Sequence, residues 1–224
     1  MNNRLLAREP VACDPALVDK IASACNCSQL IARALIRCGV SSSEEARRFL
    51  SPKESDLLDP FLLPDMQTAA DRIRRAIEEN EHICVYGDYD ADGVCSTAML
   101  VQRLQKMGAS VEYYIPHRHT EGYGMSPDAV RTLHAHGVKL IVTVDNGVSA
   151  FDEVALCTAL GIDVIITDHH SVGKTIPACI AVVAASRKDA TYPNRYLCGA
   201  GVALKLIQAL NDGEYAPEEL ALAA

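Results

Sequence analysis

No apolar run in these 224 residues approaches the roughly 20 needed to cross a bilayer, so the sequence predicts no membrane-spanning segment. Met1-Asn2-Asn3-Arg4 leads into no apolar signal core, and the expectation is a cytoplasmic protein. Nine cysteines are present, yet there is no C-x-x-C and Cys25/Cys27 form the only close pair. That spacing speaks against a zinc ribbon or a redox motif. Cys84, Cys95, Cys157, Cys179 and Cys198 sit among apolar or small residues and read as reduced core thiols. Basic residues are also in deficit, with a net charge of -8. A nucleic-acid binder normally presents a basic face. Bound metal ions would offset several carboxylates, and a basic surface can lie in sequence outside these residues. There is no internal repeat and no low-complexity segment.

What is present suits one or two domains with a sizeable core. Residues 1 to about 60 read as small helices. Leu17, Val18 and Ile21 share one helical face; Leu30, Ile31, Ala34 and Leu35 share another, with Gly39 as a stop. Ser42 and Glu45 have capping-box spacing before a short helix that Ser51-Pro52 ends. Asp59-Pro60 to Leu63-Pro64 reads as an extended connector. The expected division is a helical region and connector over 1–64 and an α/β domain over 65–224. In the second part a helix starts at Met66. Strands are expected near 83–87, 111–115, 139–144, 163–167 and 180–184, and helices near 94–107, 127–136, 150–160 and 198–210. The strands read as apolar throughout, which predicts a mainly parallel sheet with helices on both faces.

The most informative segment is Gly87-Asp88-Tyr89-Asp90-Ala91-Asp92-Gly93, at the end of the first strand. Three carboxylates in five residues repel one another and call for a divalent counter-ion. An EF-hand fits Asp88, Asp90, Asp92 and Gly93, but its twelfth position is Met99 and a strand precedes it. Two further strands end in Asp145-Asn146-Gly147 and Asp168-His169-His170. Alone, the first reads as a plain turn and the second as a helix start. Together the three signals lie at strand carboxyl ends, where open α/β sheets bind ligands. Aspartate and imidazole donors suit manganese, magnesium, zinc or iron, and a carboxylate-rich set leans to Mn2+ or Mg2+. Two such ions stabilise the oxygens of an in-line displacement at phosphorus, so phosphodiester or phosphoanhydride hydrolysis is the expected class.

Beyond this core, His117, Arg118 and His119 form a basic loop with Gly122 and Gly124; it reads either as a phosphate contact or as a solvated turn. Gly199-Ala200-Gly201 before an apolar helix reads either as a phosphate-binding helix start or as close helix–sheet packing. His134 and His136, at i and i+2, cannot share a helix face and read as solvated.

Four segments in order, Val85 to Gly93, Arg118 to Gly124, Val144 to Gly147 and Thr167 to His170, resemble the motifs of the DHH phosphoesterases, closest to the RecJ-type single-strand-specific DNA exonucleases. The resemblance implies a hydrolase dependent on two metal ions, Mn2+ or Mg2+, that degrades single-stranded DNA 5′ to 3′ in recombination and repair. It implies partnership with single-strand-binding protein and repair helicases. Carried over by position, Asp90, Asp92, Asp145 and His169 would be metal ligands, with Asp145 bridging and catalytic alongside His169 and His170. Asp88 and Asp168 would orient ligands. Arg118, His117, Gly199 and Gly201 would contact phosphate or DNA. Tyr86 stands where several members have a histidine ligand, which favours the exonuclease branch over pyrophosphatases. A further ligating aspartate is expected just beyond Ala224, so the chain reads as an N-terminal fragment with a weak or inactive site of its own. The rivals are another DHH phosphoesterase (an oligonucleotide or cyclic-dinucleotide hydrolase or a pyrophosphatase), a non-catalytic binding fragment, and a flavodoxin-like protein.

Overall fold

The computed structural model describes residues 12–223; Met1 to Arg4, read above for targeting, lie outside them. Two compact units are present, divided between Leu58 and Asp59. The sequence-drawn boundary at 64 lies just beyond, after the segment Pro60–Leu62. That segment was expected to be extended; instead it forms a 3-10 turn, because Asp59 Oδ1 accepts from the Phe61 amide and Pro60 sits at the turn's first position.

The first unit holds three helices: α1 (Pro15–Cys25), α2 (Gln29–Arg37) and α3 (Ser43–Leu50). Val18, Ile21, Ala32, Leu35, Val40 and Ala46 form its small core. The face of α2 differs from the expectation. Ala32 and Leu35 are inside, whereas Leu30 and Ile31 are exposed at 78% and 44%. Of the expected face only Leu35 lies inside, and the buried stripe runs through Ala32 instead. Ser42 Oγ accepts from the Glu45 amide as a cap should. Glu45 returns its bond to the Ser41 amide, one residue earlier than in a standard capping box.

The second unit is α/β. It contains α4 (Met66–Glu78), β1 (His82–Tyr86), α5 (Ala91–Lys106), β2 (Ser110–Tyr114), α6 (Pro127–Ala135), β3 (Val138–Val144), α7 (Phe151–Ala159), β4 (Asp163–Thr167), β5 (Ala181–Val183), α8 (Gly199–Leu210) and α9 (Pro217–Ala223). Among the described residues the five strands form one sheet in the order β2-β1-β3-β4-β5, every pair parallel. Alternate residues explain why both faces are apolar. Cys84, Tyr86, Ile141, Val164 and Ile166 meet α6 and α7 on one face. Ile83, Val85, Leu140, Val142 and Ile165, also buried, point to the opposite face. α5 and α8 pack there, with α4 and α9 against them. β2 departs from the apolar expectation. It is an edge strand, and Tyr113 is 64% exposed.

The chain leaves β1 to form β2 on one side and then crosses to β3 on the other. This reversal opens a crevice at the carboxyl ends of β1 and β3, the place where such sheets take ligands. The acidic cluster follows β1, Asp145 follows β3, and Asp168-His169-His170 follows β4.

Candidate metal centre

The helix after β1 starts earlier than expected, at Ala91 rather than Val94. Asp90 is the cause: its Oδ1 caps the helix by accepting from the Gly93 amide at 3.0 Å. Asp92 therefore sits in the first helical turn, and Asp88 remains in the loop, 2% exposed. Asp88 Oδ1 is buried without a hydrogen-bond partner.

Asp145 holds a left-handed backbone, with φ of 62°. Such a conformation is costly for a non-glycine residue and needs external support. Asn146 supplies it, donating from Nδ2 to the carbonyls of Tyr86 and Val144 at 3.2 and 2.9 Å. Thr143 Oγ1 donates to the Asn146 carbonyl at 2.7 Å. The strain thus fixes the Asp145 carboxylate at the crevice floor, 1% exposed.

After β4, Asp168 is fully engaged. Its Oδ1 accepts from the amides of His169 and His170 and lies 2.8 Å from His170 Nδ1; its Oδ2 accepts from the Val148 amide at 3.0 Å. A carboxylate at Nδ1 places the proton there and leaves His170 Nε2 as a lone-pair donor. His169 Nε2 lies 3.0 Å from Asp145 Oδ1 and 3.7 Å from Asp92 Oδ2. The Asp145 oxygen nevertheless has no hydrogen-bond partner, so the two atoms approach without bonding to each other.

These residues form two overlapping groups whose donor atoms lie within 4.8 Å of one another: Asp88, Asp90 and Asp145, and Asp145, His169 and His170. Asp145 belongs to both. Burial, followed by the charges of Asp92, Asp90, Asp168 and Asp88, pushes its pKa up to about 8. An uncompensated cluster of this kind disfavours its own ionisation, and a divalent cation reverses that. Oxygen and imidazole donors, two buried oxygens without partners and the near approach of His169 to Asp145 all fit bound metal.

The start of α8 is occupied by the chain itself. The amides of Gly199 and Ala200 donate to Asp92 Oδ2 and Oδ1 at 2.7 and 2.6 Å, and the Gly201 amide donates to Cys198 Sγ at 3.3 Å. The anion at this helix N-terminus is thus the Asp92 carboxylate. A Cβ on Gly199 would stand 2.6 Å from Asp145 Cβ, so the start of α8 packs closely against the Asp145 loop. Cys198, read as a core thiol, is exposed and serves as the cap of α8.

The model described as the DHH family, N-terminal domain, matches residues 82–224. The chain belongs to the DHH family. Within that family it is 47% identical over 195 residues to the single-stranded-DNA-specific exonuclease RecJ of Bacillus subtilis, covering 87% of this chain and 25% of the relative. It is 40% identical over 182 residues to that of Escherichia coli, covering 81% and 31%. A crystal structure of exonuclease RecJ bound to manganese superposes with a TM-score of 0.68 at 37% identity, covering 75% of this chain and 43% of that one. RecJ of Thermus thermophilus in complex with Mn2+ gives 0.70 at 31% identity, covering 93% and 29%. The chain therefore spans about a quarter to a third of the sequence relatives' length.

In this DHH chain the expected site residues fall into three places. Asp88, Asp90, Asp145, His169 and His170 converge; Asp92 stands beside them, outside both groups, tied to α8. Asp168 lies behind the histidines. Arg118 stacks on Tyr89, 4.6 Å from the ring centroid, which keeps a cation above the acidic loop. His117 is exposed, and its amide donates to Glu121 Oε2 at 2.7 Å. Glu121 also bonds the Tyr114 hydroxyl, so it is the brace of the basic loop. Tyr86 is buried, its hydroxyl donating to the Gly124 carbonyl at 3.1 Å, and serves as loop support.

Sequence reasoning missed Tyr123 as a site residue. Its hydroxyl donates to the Asp145 carbonyl at 3.2 Å and lies 3.2 Å from His170 Nδ1. Burial and the nearby aspartates raise its pKa, which keeps it a donor. The one sequence signal was an aromatic between Gly122 and Gly124 in a loop following a strand.

Proposed function

We propose that this chain is the catalytic phosphodiesterase portion of a metal-dependent, 5′-to-3′ single-stranded-DNA exonuclease acting in recombination and repair. The observation that carries the reading is the pair of donor groups sharing Asp145, with its partnerless buried oxygen. The names of the relatives and the manganese-bound neighbours supply the substrate and the ion. Magnesium is the second ion, since a RecJ structure in complex with Mg2+ matches with a TM-score of 0.58 at 27% identity.

Asp90, Asp145 and His169 would hold the ions, Asp145 bridging. Asp92 would contribute from its anchored position. Asp88, expected only to orient, has a buried free oxygen in the first group and joins the ligand set on that ground. When bound, the metals supply charge neutralisation and an activated water at phosphorus. The residues of the chain do the rest. Asp168 fixes the tautomer of His170, so that its Nε2 faces the phosphate. Tyr123 steadies both His170 and the Asp145 backbone. Arg118, held on Tyr89, neutralises the incoming phosphate, and its planar fork suits two phosphate oxygens at once. Single-strand-binding protein and repair helicases are the proposed partners, and the cytoplasm the proposed location.

The test is manganese-dependent hydrolysis of 5′-labelled single-stranded DNA. It is run on this chain and on a protein of the relatives' length that contains it, each with and without Asp145→Ala. Release of mononucleotides from the 5′ end, abolished by the substitution, supports the reading. Cleavage confined to dinucleotides, cyclic dinucleotides or pyrophosphate overturns it.

A further inference from the structure

A cleft of about 300 Å³ opens beside His170. Tyr123, Met125, Val148, Ala150 and His170 line it, together with Glu153 from the first turn of α7. Four features define what fits. No lysine or arginine lines it, while Glu153 and Asp168 do, so a phosphate is repelled and a neutral group is accepted. The lining is mixed, with Met125, Val148 and Ala150 as its apolar members beside Ser149, Glu153 and His170. The Tyr123 ring is half exposed and free to stack, standing edge-on to the His170 ring at 5.7 Å. Gly124 and Gly147 present bare backbone to the cleft.

Glu153 supplies the polar contact. It is half-buried, and among the described residues no hydrogen bond or ion pair engages its carboxylate. An acceptor in that state suits an exocyclic amino group. A flat, neutral ring with amino edges is a nucleobase, and His170, which lines the cleft, also belongs to the second donor group.

We propose that this cleft is a nucleobase subsite for one of the two nucleotides flanking the scissile phosphate, with Glu153 as the group that reads adenine, cytosine or guanine in preference to thymine. The choice of ligand rests on the phosphodiesterase reading above. The shape, the charge and the free acceptor stand apart from it.

The test is equilibrium dialysis of dCMP, dTMP and deoxyribose 5-phosphate against this chain in manganese. It compares the unmodified protein with Ser149→Trp, which covers the mouth from an exposed position, and with Glu153→Gln. Stacking predicts dCMP binding about fivefold or more tighter than deoxyribose 5-phosphate. Ser149→Trp removes that advantage and leaves manganese affinity, followed by electron paramagnetic resonance, unchanged. Glu153→Gln moves the dCMP-to-dTMP ratio about fivefold toward dTMP. Equal binding of dCMP and deoxyribose 5-phosphate overturns the subsite, as does an advantage that survives Ser149→Trp. Base-dependent binding lost in Ser149→Trp, without any hydrolysis of DNA, keeps the subsite and sinks the exonuclease reading. Hydrolysis without base advantage does the reverse.

Discussion

Asp92 and Gly199 are joined across 107 positions of sequence by a 2.7 Å hydrogen bond from the Gly199 amide to Asp92 Oδ2. The Ala200 amide takes the other oxygen at 2.6 Å. One carboxylate in the first turn of α5 thus neutralises the N-terminus of α8, and the helix dipole stabilises the carboxylate in return. The pairing locks two helices on one face of the sheet and sets Asp92 3.7 Å from His169. It also brings the α8 backbone against Asp145, leaving no space for a side chain at 199.

Gly199→Ala is therefore expected to damage the site more than the fold. The added Cβ would stand 2.6 Å from both Asp145 Cβ and Oδ1, and neither can retreat because Asp145 is pinned by its strained backbone. Overpacking of this kind costs about 1–3 kcal/mol. Manganese affinity should fall about tenfold or more, since outer contacts that place ligands carry that weight. Calorimetric titration checks it. Unchanged affinity would mean that the Asp145 loop moves freely, against its pinned geometry.

Glu219 offers a test of the fold alone. On α9 it is 1% exposed and forks with Arg103 of α5, Oε1 to Nε at 2.9 Å and Oε2 to Nη2 at 2.7 Å. Glu219→Ala leaves a nearly buried guanidinium without its partner, and the expected loss is about 3 kcal/mol in urea unfolding. The neighbouring exposed pair Lys106–Glu218, at 3.2 Å, is the control. Glu218→Ala should leave the melting temperature where it was. Equal effects of the two substitutions would refute the role given to burial.

The α/β alternation was legible because β1, β3, β4 and β5 each carry a run of apolar residues between polar breaks, and a sheet covered on both faces needs such runs. The convergence of Asp90, Asp145 and His169 was legible because strand ends share one edge of the sheet. The anchoring of Asp92 was not, since it depends on where α8 begins, and no spacing within 88–93 reports a helix 107 residues away. Tyr123 was missed because a loop aromatic has no period to announce its partners. The α2 face was misread because Ala32 is inconspicuous, although a small residue is what the crossing with α1 requires.

Tyr123→Phe removes one hydroxyl and keeps the ring. Both contacts of that hydroxyl, to the Asp145 carbonyl and beside His170 Nδ1, hold catalytic geometry without touching a ligand atom. In active protein of the relatives' length, kcat on single-stranded DNA should fall about fivefold with KM little changed, because a positioning hydrogen bond is worth on the order of 1 kcal/mol. A rise in KM alone would make the Tyr123 hydroxyl a substrate contact instead.

The strongest pH dependence belongs to Asp145. Its pKa stands at about 8 against an ordinary 3.8, raised first by burial and then by Asp92, Asp90, Asp168 and Asp88. A raised carboxyl binds its proton more tightly when folded than when unfolded. Its contribution is therefore favourable below the unfolded value and is lost as pH climbs from about 4 to about 8. Metal-free protein should melt progressively lower across that window, and Asp145→Asn should flatten most of the decline. Manganese must displace the same proton, so its apparent affinity should tighten by up to about tenfold per pH unit as pH rises toward 8. At about 100-fold its dissociation constant the ion adds about 2.7 kcal/mol of stability, enough to offset much of the decline. Differential scanning calorimetry between about pH 5 and 8.5, with and without manganese, reads both effects. A metal-free melting temperature that rises with pH, or a manganese affinity flat across the same window, would show that Asp145 is ionised in the free protein and that its neighbours do not repel it as their positions require.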